Sequence, residues 1–551
     1  MPGGDAAEKR HGHSLGPLPK GIFTSCAQEA HNSGRLRGRG SIRTGALGAI
    51  ALAALLTTLA AGAQAAPVRF AKPVFVDRAL AGGEPLVIAD KKHHTLIYTA
   101  HEGTTHLYRN GIVNPVDFVP NYRNQVNIWV SKNDGRTWTR VDFAGTGFDQ
   151  PPSQNTGFSD PDLTMDAGGR VYNTGIDLAN DALFSTANGG YNWDRGTAEC
   201  HDGDRPWLAG GRRDEVFMGT DTLEGSISHQ IFQSTDGGNT CSTNGIPDGG
   251  TLADGTSYAG DGKLMYDHHN GRLMEPVVFS RSSGGPLGST KTIGVGVATW
   301  KRGQASFNPP ATVAKTTLFA HWPALAIDSA DNAYLVWDTD PRKPGTSGGC
   351  NGDETELPNA IEMSVSRDFG KTWSNPITIA KPRGKKVYWP WVVAGKAGKV
   401  SVVWYQTDKV VDLDCQTAKT SVYNATVLNA TSRHPKIHVV NAAGRVIHDD
   451  DVCQGGTTCV ATGQDRRLGD FFTNAIDPRG CVLIASGDTT IKGIGGTERP
   501  TSLPIFMRQN SGPGLKGKSC GPKSRRKHRR HRHKHRHGQG EEEHPPAAAQ
   551  R

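Results

Sequence analysis

The sequence predicts an all-β protein: a β-propeller of seven, alternatively six, four-stranded blades, with a signal segment before it and a disordered basic tail after it. Three observations carry this prediction. A short turn of the pattern Ser/Thr-x-Asp/Asn-x-Gly-x-Thr-Trp recurs along the chain. A second unit, two apolar strands around a tight turn, recurs out of phase with it. The 551 residues include 69 Gly and 32 Pro, with few helix-forming runs beyond residue 66.

The turn has four copies, running from Ser131 to Trp138, Thr186 to Trp193, Ser234 to Cys241 and Ser366 to Trp373. Its third position (Asn133, Asn188, Asp236, Asp368) offers an oxygen to the N–H groups of the turn. Its glycine (Gly135, Gly190, Gly238, Gly370) takes a backbone angle that other residues resist. Trp138, Trp193 and Trp373 are expected to pack beneath the loop, and the third copy ends in Cys241 instead. Turn geometry explains these residues as structural, and each copy follows a strand-like stretch such as 126–130 or 360–365.

The second unit begins at Glu84-Pro85, Asp160-Pro161, Arg205-Pro206, Lys263, Trp322-Pro323, Trp389-Pro390 and Leu468-Gly469. The copy at Lys263 is the weakest, and reading it as a loop gives six blades. Sheets stacked around an axis point the starts of their innermost strands into one central funnel. The ligand candidates are therefore Glu84, Asp160 with Asp162, Asp204 with Arg205, His321, Tyr388, and Arg467 with Asp470. His101 and Glu102 join them because they follow the first inner hairpin. Carboxylates gathered in one place raise one another's pKa and can supply a general acid. The competing reading is structural: Asp and Arg at strand starts also lock neighbouring blades together.

Charge narrows the partners. The chain carries a net charge of +9, but twelve Lys/Arg against three Glu lie beyond residue 515, and the first 65 residues are basic as well. The body is mildly acidic, which disfavours a nucleic-acid groove on the propeller. The segment 523–537 holds nine Lys/Arg and five His and has nothing to bury, so it is read as a disordered tail able to bind polyanions. Residues 44–61 form an uncharged apolar run after Arg35, Arg37, Arg39 and Arg43, followed by Ala63-Gln64-Ala65. That is the pattern of a secretory signal, which predicts domains at 1–65, 66–510 and 511–551 and an extracytoplasmic destination.

Cysteine usage agrees with export. Beyond Cys26 there are eight, and neighbours in sequence suggest Cys200–Cys241, Cys350–Cys415, Cys453–Cys459 and Cys481–Cys520. No cofactor is required by any motif and no metal ligand set is assigned. A structural Ca2+ is allowed for, Asp449 to Asp451 being the acidic loop that could touch a cation. The G-x-S-x-G match at 345–349 lies in a loop of small residues and the G-x-G-x-x-G match at 512–517 in a linker, so both are set aside.

The repeated turn resembles the Asp-box (BNR) repeat, and the paired units are similar to sialidase-like propellers of exported bacterial proteins, over roughly residues 80–510. That resemblance implies a glycan or other polar ligand in the funnel, such as a cell-envelope polymer, bound by a monomer. It implies, as the alternative, an exo-sialidase-like glycoside hydrolase in which a Tyr activated by Glu, an Asp and three Arg do the chemistry. The family's Phe/Tyr-Arg-Ile-Pro motif is absent from residues 69–80, so no catalytic residue is carried over; Arg205, Arg466 and Arg467 are the guanidinium groups near strand starts.

Overall fold

The computed structural model describes residues 66–521, apart from 104–105, 109–125, 142–156, 178–179, 198–199, 201–202, 223–228, 283–289, 317–322, 340–358, 414, 454–455, 457–458 and 460–461. The segment expected to be a signal, the tail at 523–537, His321 and Cys350 lie outside the described residues.

Seven antiparallel sheets form seven blades. Their innermost strands are Leu86–Asp90 (blade I), Ser159–Met165 (II), Gly203–Gly210 (III), Met265–Asp267 (IV), Ala324–Ile327 (V), Val387–Ala394 (VI) and Thr473–Ile476 (VII). Each touches the next, and blade VII touches blade I, so the ring is closed. The weak unit at Lys263 is a genuine blade with a divided inner edge. There Ser257–Gly260 and Met265–Asp267 pair end to end along Arg272–Ser282. Closure mixes the two ends of the chain: Arg69–Phe70 and Val74–Phe75 pair with Leu503–Ser511 of blade VII. The fold also continues past the predicted boundary at 510, because Leu515 is buried and a Cys481–Cys520 disulfide ties down the last turn.

Strand alternation explains why the blades stack. In blade I, Val87, Leu96, Tyr98 and Trp129 face blade VII and meet Leu483, Ala485 and Phe506. Leu86, Ile97 and Ile128 face the other way into the main core. With period two, each face of a buried strand serves a different interface. Blades II and III share a cluster with Tyr172, Leu183, Leu208 and Phe232, and blades IV and V one with Val295, Val297, Leu335 and Trp337. Burying each such side chain is worth about 1.5–3 kcal/mol. The Cys200–Cys241 and Cys453–Cys459 disulfides are formed as expected, and Cys415 is also disulfide-bonded.

The four repeated turns join the third and fourth strands of blades I, II, III and V. In the last, Ser366 Oγ donates to Asp368 Oδ1 at 2.9 Å, while Gly370 N donates to Ser366 Oγ and Thr372 N to Asp368 Oδ1. Asn133, Asn188 and Asp236 accept in the same way. Trp193 is fully buried, and its Nε1 and that of Trp373 donate to the carbonyls of Gly190 and Gly370.

Candidate functional site

The site is built where inner strands begin. Between Ser159 and Asp162, between Asp204 and Trp207, and between Tyr388 and Trp391, the inner strand carries one residue more than its partner. Each bulge contains an X-Pro pair, and X is left-handed: Asp160 at φ 47°, Arg205 at 61° and Trp389 at 51°. Glu84, before Pro85, does the same at 49°. A residue before proline normally stays extended, so the repeated left-handed turn is strain held by the surrounding structure. Such bulges re-aim side chains, and Asp160 and Arg205 are brought into one cluster with Asp204 and Asp470, which Glu84 also joins.

Glu84 is the centre. It is fully buried; its Oε1 accepts from Asp470 N at 3.0 Å and lies 3.0 Å from His106 Nε2. Gly469 leaves room for it, since a Cβ there would come within 2.4 Å of Glu84 Cγ. No N–H reaches Glu84 Oε2 among the described residues; its neighbour is the carboxyl of Asp160. Burial, then the charge of Asp470, pushes Glu84 up to about 8. Burial, then Glu84 itself, holds Asp160 well above the usual carboxylate range. The pair therefore keeps a proton at neutral pH, which is the requirement for a buried general acid. Asp470 stays paired with Arg466, whose Nη2 donates to Oδ2 at 2.6 Å while Nη1 engages Oδ1.

Two imidazoles back the carboxyls. His101 and His106 are both buried and stack with ring centroids 4.0 Å apart. Burial, then Arg466, lowers His106 to about 3, and burial with its neighbours lowers His101 well below its ordinary value. Both are neutral. Neither ring nitrogen of His101 has a hydrogen-bond partner among the described residues. On the open side stand Asp204 and Arg205. Arg205 Nη1 lies 3.4 Å from Asp221 and 3.7 Å from Asp261, and its Nε 3.9 Å from Asp204.

The other candidates serve the scaffold. Asp162 is fully buried, takes Lys263 from blade IV as its counter-ion and accepts from Leu208 N of blade III, so one carboxylate joins three blades. Glu102 is buried, with its N–H on Phe158 O. Tyr388 is buried in blade VI with its hydroxyl 3.2 Å from Thr420 Oγ1, and the left-handed position belongs to Trp389. Arg467 is turned away from Glu84: it is bound to Asp465 at 2.6 Å and lies over the Tyr108 ring. Its neighbour Arg466 is the arginine at the centre. Asp451 spends Oδ2 on the N–H of Asp465, and Asp450 Oδ1 accepts from Asp451 N.

An aromatic layer closes the axis beneath these groups. Trp207 of blade III meets Trp391 of blade VI at 5.6 Å and Phe471 at 5.1 Å, spanning opposite sides of the ring. At the far end of the inner strands a separate cavity of about 420 Å³ is lined by Met165, Gly210, Lys263, Asp267, His269 and Asp331. Reasoning from repeats missed Trp207 and Phe471; their signal was an aromatic one or two residues past the strand-start pair.

No family model and no curated protein matches the sequence. Solved structures do. One is a protein of unknown function from Dyadobacter fermentans, 13% identical, covering 80% of this chain and 99% of that chain, with a TM-score of 0.40. A polysaccharide lyase, the PL25 ulvan lyase bound to -[GlcA(1-4)Rha3S]-, is 10% identical over 82% of this chain and 97% of that chain, with a TM-score of 0.44. NanB sialidase from Streptococcus pneumoniae is 10% identical over 79% and 70%, with a TM-score of 0.37. At such identities the activities named for those proteins stay with them.

Proposed function

We propose that this protein is an exported propeller that binds a carbohydrate in its funnel, with the Glu84–Asp160 pair contacting the sugar hydroxyls. The observation that carries the reading is a cluster of buried polar groups at the strand starts, Glu84 with Oε1 on Asp470 N and 3.0 Å from His106 Nε2 and with Asp160 beside it, together with the aromatic layer of Trp207, Trp391 and Phe471. A protonated carboxyl donates to a hydroxyl while its ionised neighbours accept, and few other ligands match so many alternating donors and acceptors. Arg466 and Arg205 are already engaged by carboxylates, which favours a neutral or amino sugar over an acidic one. The disulfides fit an extracytoplasmic location, and the cationic tail would tether the protein to anionic envelope polymers.

A second reading, glycoside hydrolysis, is favoured by one observation: Glu84 is protonated near pH 7 beside a second carboxyl, the condition for general-acid cleavage of a glycosidic bond. Both readings are tested by incubating the full chain with chromogenic glycosides and sialosides and by applying it to a glycan array. Turnover that disappears in Glu84→Gln establishes the hydrolase. Binding of neutral glycans without turnover, weakened in Glu84→Gln, establishes recognition. Neither binding nor turnover sinks both.

A further inference from the structure

The two ends of the inner strands differ in charge. The strand starts gather Glu84, Asp160, Asp204, Asp221 and Asp261 around Arg205 and Arg466. The opposite ends carry the turns from first to second strand, and there the carboxylates face inward. Asp90, Asp166, Asp267, Asp328 and Asp477 stand at the last position of their inner strands or one beyond it, and all five are buried. Each Oδ1 accepts two N–H groups of its own turn, those of Lys92 and His93 in blade I and of Arg479 and Cys481 in blade VII. An Asp in that place bends the chain, so it is spent on the fold and adds no acceptor to the surface.

The positions left outward are basic. Lys91 and Lys92 in blade I, Arg212 and Arg213 in blade III, Lys396 in blade VI and Lys516 in the segment after blade VII are exposed, and no exposed Asp or Glu stands at these turns among the described residues. Two half-buried carboxylates are already engaged: Asp214 Oδ1 lies 3.2 Å from Arg170 Nε, and Asp331 Oδ1 2.6 Å from His269 Nδ1. The turns adjoin one another round the ring. Ala167 N of blade II donates to Gly211 O of blade III, and Ser329 N of blade V to Gly395 O of blade VI. The chain beyond residue 510 continues the row. Lys396 N donates to Leu515 O, Leu515 N donates to Gly480 O of blade VII, and Lys516 feels the charge of Lys91 in blade I. At the centre of this end the cavity of about 420 Å³ presents Asp267 and Asp331, so an anion meets the surrounding turns and not the cavity.

We propose that this end of the propeller docks on the surface of an anionic phospholipid bilayer, with the funnel facing away from it. Cations on separate turns spread round the ring match a plane of diffuse negative charge, whereas a single polyanionic chain is tracked by a continuous groove. The folded body is mildly acidic as a whole, and the acidic strand starts lie at the other end, so the field of the molecule orients its approach. The described chain also ends here. Cys520 is tied to Cys481 at the foot of blade VII, and the nine Lys/Arg of 523–537 follow directly in the sequence. Docking engages none of the residues around Glu84, so its failure leaves the carbohydrate reading untouched.

The test is co-sedimentation of the full chain with vesicles of phosphatidylglycerol and phosphatidylcholine in equal parts, beside vesicles of phosphatidylcholine alone. The tail is common to every variant, so differences between proteins read the face. Wild type is expected on the anionic vesicles and not on the neutral ones, with release as salt is raised. Lys91→Gln combined with Lys396→Gln should weaken partition by about 25-fold, since each Lys near such a surface contributes about fivefold. Arg383→Gln combined with Lys409→Gln removes the same charge from exposed positions at the strand-start end, and should stay within about twofold of wild type. All four substitutions are at exposed side chains, and equal melting temperatures confirm that the folds compared are the same. Equal partition of the two double variants would overturn the proposal and assign the vesicle binding to the tail. Wild type left in solution by the anionic vesicles would overturn it as well, and its retention on immobilised polygalacturonate would then make a polymer the partner.

Discussion

Two repeated features of this molecule put non-glycine residues in the left-handed region, and they do so for different ends. In the turns between outer strands, Asp134 and Phe369 sit at φ 63°, and the hydrogen bonds close within five residues. At the strand starts, Glu84, Asp160, Arg205 and Trp389 are equally left-handed, but Glu84 and Trp389 take partners from remote chain positions: Glu84 is bonded to Asp470 N, 386 residues away, and Trp389 N donates to Asp338 Oδ2, 51 residues away. The first feature is complete in itself. The second is completed only by the ring, and incompletely, since Glu84 Oε2 and both His101 nitrogens lack partners among the described residues. Strain resolved locally builds scaffold, whereas strain resolved across the fold with polar atoms to spare marks the place where a ligand can bind.

The largest effect that would sharpen this contrast is at Glu84. Glu84→Gln keeps the shape and removes the transferable proton, so, on the hydrolase reading, glycoside turnover should fall by about 10²–10⁴-fold with little change in far-UV circular dichroism. An unchanged rate would place any chemistry elsewhere. Next comes the latch. Lys263→Met leaves Asp162 buried without its counter-ion and is expected to cost about 3–5 kcal/mol in denaturant unfolding, with Asp162→Asn in the same background recovering part of it.

A smaller effect is the dependence of stability on pH. Glu84 is raised from 4.5 to about 8, so the stability it contributes is full below 4.5 and is lost as pH rises through 8. His106 is lowered from 6.5 to about 3, so its contribution is present above 6.5 and is lost as pH falls toward 3. Between pH 6.5 and 8 His106 no longer contributes and Glu84 does, alongside the other raised groups such as Asp160, and the Glu84 share of the fall in wild-type melting temperature should be about 1–2 °C per pH unit. A Glu84→Gln melting curve that slopes as steeply as wild type over that window would refute the assignment. The smallest effect is at the turns: Asp368→Ala should cost about 1 kcal/mol and leave glycan binding unaltered, and a change in binding there would break the division between the two features.

Much of this was open to reading from the chain. The four turns follow from Ser-x-Asp-x-Gly chemistry, and three disulfides join the cysteines nearest in sequence. The weak unit at Lys263 blurred because its inner edge is shared by two short strands, so no single apolar run announces it. Within the funnel, Arg466 and Arg467 are adjacent and chemically identical. Which of them meets Glu84 depends on Asp465 and Asp470 competing for them, and no periodicity carries that information.

Period-two apolar runs and turn chemistry act over a few residues, so the order of residues along the chain suffices to set the blades and the bends between them. The carboxyl pair of Glu84 and Asp160, the bond from Asp470 N to Glu84 and the contacts of Trp207 with Trp391 and Phe471 join residues between 76 and 386 positions apart. They exist only once the ring has closed and water has been excluded, because it is burial that makes a carboxyl basic and an unpaired oxygen costly.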